Sequence, residues 1–306
     1  MNWAEEKRAM NKESVMPFEN DLLGRLHLID RTETDNEAID HYFCSLKDDT
    51  VAAFEDELFA VLFGNNHRVA IKEGYEPVLT FVKNNVHYAP FIEEMIGLYP
   101  DSPVCLIRHV YHFNKEFYEG RSDNLLSKVG CAGLFKKKPL TEAEKILDKS
   151  ERIIVFRNWE NSEKQAGIIG AICRTAIALG CDGILYEDNI NPYSRTLIRS
   201  SAAYVLSIPR GICNETITDL LKKKGFTTIL IKDSENDKTL RIDDERLKQG
   251  KRALIIDGGI ISGRYDERYA FDLEAYVPGR TSASSINKSD LAVALWELFS
   301  RDRRES

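Results

Sequence analysis

Three stretches decide how this chain is read: Arg152-Ile153-Ile154-Val155-Phe156, Gly170-Ala171-Ile172-Cys173-Arg174-Thr175-Ala176-Ile177-Ala178-Leu179 and Gly183-Ile184-Leu185-Tyr186. The first and third are short apolar runs without polar alternation. The second spaces its apolar residues as a helix does. Strand, helix and strand in that order predict a parallel pair joined by a crossover helix. The pattern continues downstream. A helix is expected over 194–203, a strand over 205–208, and a helix over 216–224 stopped by Gly225. Strands are expected over 228–231, 253–256 and 275–277. The stretch 286–299 closes the chain as an amphipathic helix, with Leu291, Ala294, Leu295 and Leu298 on one face. The class is α/β, with a parallel sheet covered on both sides.

Upstream, the order is less regular. Residues 1–45 are polar and charged, with short apolar clusters at Leu22, Leu23, Leu26 and Leu28, and read as an extension carrying a helix or two. Residues 46–147 form a smaller domain. Val51, Phe54, Leu58, Val61 and Leu62 predict a helix over 51–63, Arg68 to Ile71 a short strand, and Glu76 to Asn84 a helix. Val104 to Ile107 and the run from Leu134 read as strands, and Thr141 to Lys149 as a helix leading into the domain over 148–306.

The 306 residues are enough for about two domains. No run of 18 apolar residues offers a membrane span, and Met1 to Asn20 lacks the apolar core of a secretory signal. The six cysteines, at positions 44, 105, 131, 173, 181 and 213, form no C-x-x-C pair. A disulfide scaffold and a structural zinc site are therefore not expected, and a reducing, cytoplasmic compartment fits. Residues 1–150 carry 18 basic and 26 acidic side chains, net −8, and the remainder is net +1. That balance argues against a generic nucleic-acid coat but leaves room for a local groove. All six histidines lie in the first half, so a Ser–His–Asp hydrolase in the α/β half is excluded. No metal is expected.

In an open parallel sheet, ligands sit beyond the carboxyl ends of the strands. The loops to inspect follow Phe156, Ile231, Ile256 and Val277. After Ile256 comes Asp257-Gly258-Gly259-Ile260-Ile261-Ser262-Gly263, where glycines would let the backbone approach a ligand or simply turn. On the helix from Gly170, Arg174 shares a face with Gly170, Ala171 and Ala178. Its guanidinium could bind a phosphate or carboxylate, or join a surface ion pair. Arg280-Thr281-Ser282-Ala283-Ser284-Ser285-Ile286-Asn287-Lys288-Ser289 precedes the last helix, and its hydroxyls could cap that helix or meet a polar ligand.

The order of these stretches resembles the SpoU-type, TrmH-like branch of the SPOUT methyltransferases, which carry a methyl group from S-adenosylmethionine to RNA ribose 2′-hydroxyls. The family's first motif, Asn-x-Gly-Ala-Ile-x-Arg-Thr-Ala, is matched by Ile168-Ile169-Gly170-Ala171-Ile172-Cys173-Arg174-Thr175-Ala176. Asn191-Pro192-Tyr193-Ser194, Ile198-Arg199-Ser200-Ser201-Ala202 and Leu206-Ser207-Ile208-Pro209 are similar to its connecting stretch. Ser285-Ile286-Asn287-Lys288-Ser289, after Val277-Pro278, is similar to its third motif, Ser-Leu-Asn-Val-Ser. The resemblance covers roughly 152–300. More weakly, Arg68-Val69-Ala70-Ile71-Lys72-Glu73-Gly74 and Glu76-Pro77-Val78-Leu79 resemble the ribosomal-protein-like domain that often precedes this catalytic domain and grips RNA.

The resemblance implies a deep trefoil knot, a homodimer with the site at its interface, and S-adenosylmethionine as cofactor. It places Arg174, Ser285 and Asn287 in catalysis. Ile231, Asp257, Gly258, Gly259, Val277, Pro278 and Ile286 would hold the cofactor, and Asn191, Arg199 and Ser200 the RNA. Ile168 stands where the family has asparagine, the glutamate of the second motif is missing, and Lys288 replaces an apolar residue. Three functions follow: an RNA ribose 2′-O-methyltransferase, ribosomal RNA being the expected target; a methyltransferase of this fold acting on a small molecule; and a non-catalytic RNA- or cofactor-binding protein.

Overall fold

The computed structural model describes residues 26–29, 57–83, 89–100, 102, 104–107, 130–160, 162–214, 216–232, 235–261, 271–278 and 288–300. They divide into two compact units, Met1–Lys137 and Lys138–Ser306.

The first unit is built on a mixed five-stranded sheet. Its elements are β1 (Leu26–Ile29), β2 (Leu58–Leu62), α1 (Gly64–Lys72), β3 (Pro77–Lys83), α2 (Ala89–Leu98), β4 (Val104–Ile107) and β5 (Cys131–Lys136). The sheet order is β1-β4-β3-β5-β2, with β4 parallel to β1 and β3, and β5 antiparallel to β3 and β2. Here the sequence expectations need correction. The helix expected over 51–63 is a strand over 58–62, because Leu58 to Leu62 is a continuous apolar run; the positions before 57 lie outside the described residues. The strand expected at 68–71 belongs to α1, whose buried Asn66, His67 and Ala70 recur at helical spacing. The helix expected over 76–84 is β3, hydrogen-bonded on both edges and buried from Leu79 to Val82. A short, wholly apolar run has no period, and pairing partners settle its state. Leu26 and Leu28 lie in β1 rather than in a helix.

A histidine sits at the centre of this unit. His67 is fully buried, its Nε2 shares a hydrogen bond of 3.2 Å with Thr80 Oγ1, and its Nδ1 lies 3.8 Å from Cys131 Sγ. Its ring meets Phe91 and Phe135 edge-on. Burial, helped by the Arg68 charge, lowers its imidazole to about 3. The unfolded chain takes up a proton near pH 6.5 that the folded chain refuses until about 3. Stability is therefore lost as pH falls through that window, by about 1.4 kcal/mol per pH unit. Acid unfolding, followed by exchange protection of the β2 and β5 amides, should be shallower in a His67→Gln variant than in the parent.

The second unit carries a seven-stranded, wholly parallel sheet. Its elements are α3 (Ala143–Lys149), β6 (Arg152–Arg157), α4 (Glu163–Ala178), β7 (Gly183–Glu187), α5 (Arg195–Ser200), β8 (Arg210–Cys213), α6 (Ile217–Lys223), β9 (Phe226–Lys232), β10 (Thr239–Arg241), β11 (Lys251–Asp257), the single turn α7 (Gly258–Ile261), β12 (Leu273–Tyr276) and α8 (Lys288–Leu295), which runs into a π turn at Trp296–Ser300. The order is β10-β12-β9-β11-β6-β7-β8. Ile153 to Phe156 and Ala253 to Ile256 are buried on both faces, which is why these strands read as unbroken apolar runs. One expected strand is displaced. Residues 204–207 form a 3₁₀ turn, and the strand begins at Arg210, after Pro209, which has no N–H to donate but whose carbonyl accepts from the Ile184 amide of β7.

Two features of this sheet place a site. β6 has β7 on one side and the much later β11 on the other, and β9 has β11 on one side and β12 on the other. Connections therefore leave in opposite directions from β6 and from β9. Crevices open at the carboxyl ends of such strands.

Candidate cofactor and substrate site

The crevice at β6 and β11 is filled by the protein itself. The chain leaves β6 through Asn158, whose φ of 54° is the left-handed conformation that asparagine tolerates. Trp159 follows, only 2% exposed, with Nε1 donating to the Ile256 carbonyl at 2.9 Å and its own carbonyl accepting from Asn189 Nδ2 at 2.5 Å. A Cβ on Gly258 would stand 2.5 Å from the Asn158 carbonyl oxygen and 3.0 Å from the indole. The close approach that the glycine permits is thus to the loop after β6. Of the two readings left open for these glycines, approach to a ligand or a simple turn, the structure shows a turn: the helical α7, tied to the end of β11.

Asp257 fastens this turn. It is 6% exposed, and its Oδ1 accepts from the Gly259 amide at 2.7 Å and from Asn158 Nδ2 at 3.3 Å. A buried carboxylate is tolerable only when hydrogen-bonded in this way. That oxygen is engaged in holding the turn. At the end of β7, Glu187 accepts from the Asn158 amide and lies 3.9 Å from Arg157 Nε.

The second set of strand ends, at β9, β11 and β12, carries different residues. Ile231 is buried at the end of β9, and Val277 and Pro278 extend from β12 as half-buried and exposed residues. Register sets Ile231 beside Ala275 and Leu230 beside Ile255. The expected residues Ile231, Asp257, Gly258, Gly259, Val277 and Pro278 therefore gather at one end of three neighbouring strands. Ser285, Ile286 and Asn287 lie outside the described residues and directly precede α8 in the chain.

Arg174 is exposed on α4, and no described residue pairs with its guanidinium, so the surface ion pair weighed from the sequence does not form among the described residues. Its helix packs closely on α5 because Gly170 has no side chain: a Cβ there would overlap the Leu197 carbonyl oxygen and lie 2.6 Å from Ser200 Oγ. Ser200 donates its hydroxyl back to the Thr196 carbonyl one turn earlier in α5, where Oγ stands against the Gly170 position of α4. Asn191 is exposed and accepts from the Tyr193 amide at 2.9 Å, while Arg199 is half-buried in the last turn of α5. On another face of α4, Ala171, Ile172 and Thr175 meet Leu291, Ala292 and Leu295 of α8 around a cleft of about 70 Å³.

Sequence reasoning did not single out Asn158, Trp159, Glu187 or Asn189. Their only local signal was an Asn-Trp pair straight after a buried strand; the partners of Asn158 are 99 and 29 residues away.

No protein-family model matches the sequence. The fold is that of solved RNA methyltransferases. The AdoMet-bound rRNA methyltransferase from Sinorhizobium meliloti superposes with a TM-score of 0.67 at 15% identity, over 92% of this chain and 99% of its own. An RNA 2′-O ribose methyltransferase gives 0.66 at 17% identity, over 92% and 100%. The SpoU methyltransferase AviRb from Streptomyces viridochromogenes, in complex with AdoMet, gives 0.64 at 15% identity, over 87% and 99%. Among the described residues no helix is long and apolar enough to cross a membrane, and no group of three His, Cys, Asp or Glu side chains could hold a metal.

Gly258→Ala should destabilise the second unit by about 1–3 kcal/mol, the usual cost of overpacking, because the new methyl meets backbone. Urea unfolding of that unit measures it.

Proposed function

We propose that this protein is an S-adenosylmethionine-dependent methyltransferase of the SpoU type acting on RNA, with a ribose 2′-hydroxyl, in ribosomal RNA, as acceptor. The observation that carries the reading is a joint one. An α/β chain with the fold of AdoMet-bound rRNA methyltransferases presents an exposed arginine, unpaired among the described residues, at the motif-one position.

The residues at the carboxyl ends of β9, β11 and β12 fit such a cofactor. Ile231, Val277 and Pro278 offer apolar walls for an adenine, and the Gly258–Gly259 turn, covered by Trp159 on its glycine face, stands beside them at the end of β11. When bound, S-adenosylmethionine supplies a methyl group on a sulfonium sulfur, open to in-line displacement. Arg174 binds a phosphate beside the acceptor ribose and, as a nearby cation, eases loss of the hydroxyl proton to solvent as the O–C bond forms and the S–C bond breaks. Ser285 and Asn287 orient the acceptor. Holding the two reactants in line supplies much of the rate gain.

Two further elements belong to this reading. The later strand β11 lies between β9 and β6, an arrangement compatible with a deep trefoil knot. A second copy covers the side of α4 and α8, where Val293 and Trp296 remain 45% and 42% exposed. The first unit, resembling a ribosomal protein, grips the RNA.

A non-catalytic binding protein is the second reading. Ile168 and Gly259 occupy positions where the family carries polar groups, and the Asp257 oxygen that could have compensated is engaged by Asn158 and Gly259.

Calorimetry with S-adenosylmethionine and tritiated methyl transfer into bulk ribosomal RNA distinguish the readings. The enzyme binds the cofactor and labels RNA. Arg174→Ala should lower transfer by at least about a hundredfold, the scale of a lost transition-state contact, while cofactor affinity stays nearly unchanged. Intact transfer in Arg174→Ala overturns the assignment of that residue. In sedimentation velocity, Val293→Asp combined with Trp296→Asp should convert a dimer into a monomer.

A further inference from the structure

The contacts at the end of β6 form a device that reaches the proposed cofactor turn without touching the cofactor. Among its contacts, Asp257 Oδ1 accepts from the Gly259 amide of the turn at 2.7 Å and from Asn158 Nδ2 of the loop after β6 at 3.3 Å. The backbone amide of Asn158 is held by Glu187, and Glu187 lies 3.9 Å from buried Arg157. Trp159 closes the arrangement by lying over Gly258 while bonded to the Ile256 carbonyl. A single residue, Asn158, thus connects the ends of β6, β7 and β11. It does so from a left-handed backbone conformation, which turns its amide side chain toward Asp257.

We propose that Asn158 is a positioning residue of the methyltransferase: through Asp257 it fixes the orientation of the Gly258–Gly259 turn, and so the affinity for the adenosyl cofactor. This rests on the function proposed above. The physical reason is that a buried carboxylate follows its donors. The N–H donors of Asn158 and Gly259 come from separate segments, so together they help fix the direction of the Asp257 oxygen, and the Gly259 amide with it. With one donor lost, the carboxylate can rotate toward whatever else satisfies it, and the turn moves with it. Apart from Trp159 lying over Gly258, the two glycines supply no side-chain packing of their own to resist that movement.

Two variants separate the amide from the backbone. Asn158→Gly removes the side chain but keeps the left-handed φ without strain. Asn158→Asp keeps shape and φ but sets a carboxylate against Asp257. Each is measured in the full chain by calorimetry with S-adenosylmethionine, by hydrogen exchange at Gly259, and by melting temperature. Asn158→Gly should weaken cofactor binding on the order of tenfold, as small misplacements do, and Asn158→Asp should weaken it more. Exchange at the Gly259 amide should accelerate in both. If the glycine variant fails to fold, the isosteric aspartate variant decides alone. Unchanged cofactor affinity in a folded variant, with or without faster Gly259 exchange, overturns the proposal, since a merely structural contact would move melting temperature and not affinity. A parent protein that binds no S-adenosylmethionine overturns the function itself, and this role of Asn158 with it; a parent that binds and a variant that binds equally overturn only the role of Asn158.

Discussion

The second unit depends on β11 being held on both edges at once. Arg252 to Asp257 pairs with Arg152 to Arg157 on one side, and Lys251 to Ile255 pairs with Phe226 to Leu230 on the other. A strand that is buried on both faces and bonded on both edges has no route to water for its backbone, so its amides and carbonyls must be matched by its neighbours. Everything at the carboxyl end of the sheet inherits its position from that pairing. Asp257 faces the loop after β6 because β6 is its neighbour, and the turn at Gly258 starts where the ladder stops.

Polar contacts then finish what the apolar core begins. The sheet brings Arg157, Glu187 and Asp257 to one end, three charged residues near one another in a place of low exposure. Each has a hydrogen bond or an opposite charge from the protein itself. Asn158 supplies two of those bonds, one from its backbone and one from its side chain. The helix pair α4 and α5 uses a different device, a glycine without a side chain, to bring two backbones together behind Arg174. The arginine consequently stands on a helix that is rigidly backed on one face and open on another.

The legible and illegible parts of the sequence divide along physical lines. From 151 onward, strand and helix alternate, and fully buried parallel strands leave unbroken apolar runs that few other states explain. Those elements were readable apart from β8, which starts later than expected, and β10, which the sequence reading did not include; the helix stop at Gly225 was readable too. In the first unit, Leu58 to Leu62 and Pro77 to Val82 are also largely apolar runs, but without alternation nearby they matched a helical template equally well. Their strand state comes from β5, which lies between them and bonds to both. The histidine at 67 gave no local sign of being a core residue; only the ring contacts with Phe91 and Phe135 and the bond to Thr80 make it one.

For the candidate site, the sequence determined residue types and spacing: an arginine on a small-residue helix, glycines after a buried strand, and apolar residues at the ends of two others. Covalent order carries that information because each feature is local. Tertiary structure alone decided that the glycine turn is closed by Trp159, that the Asp257 oxygen is engaged, and that Asn158 links three strand ends. Those facts join residues separated by 29 to 99 positions, and a contact of that range exists only once the sheet has set its neighbours side by side.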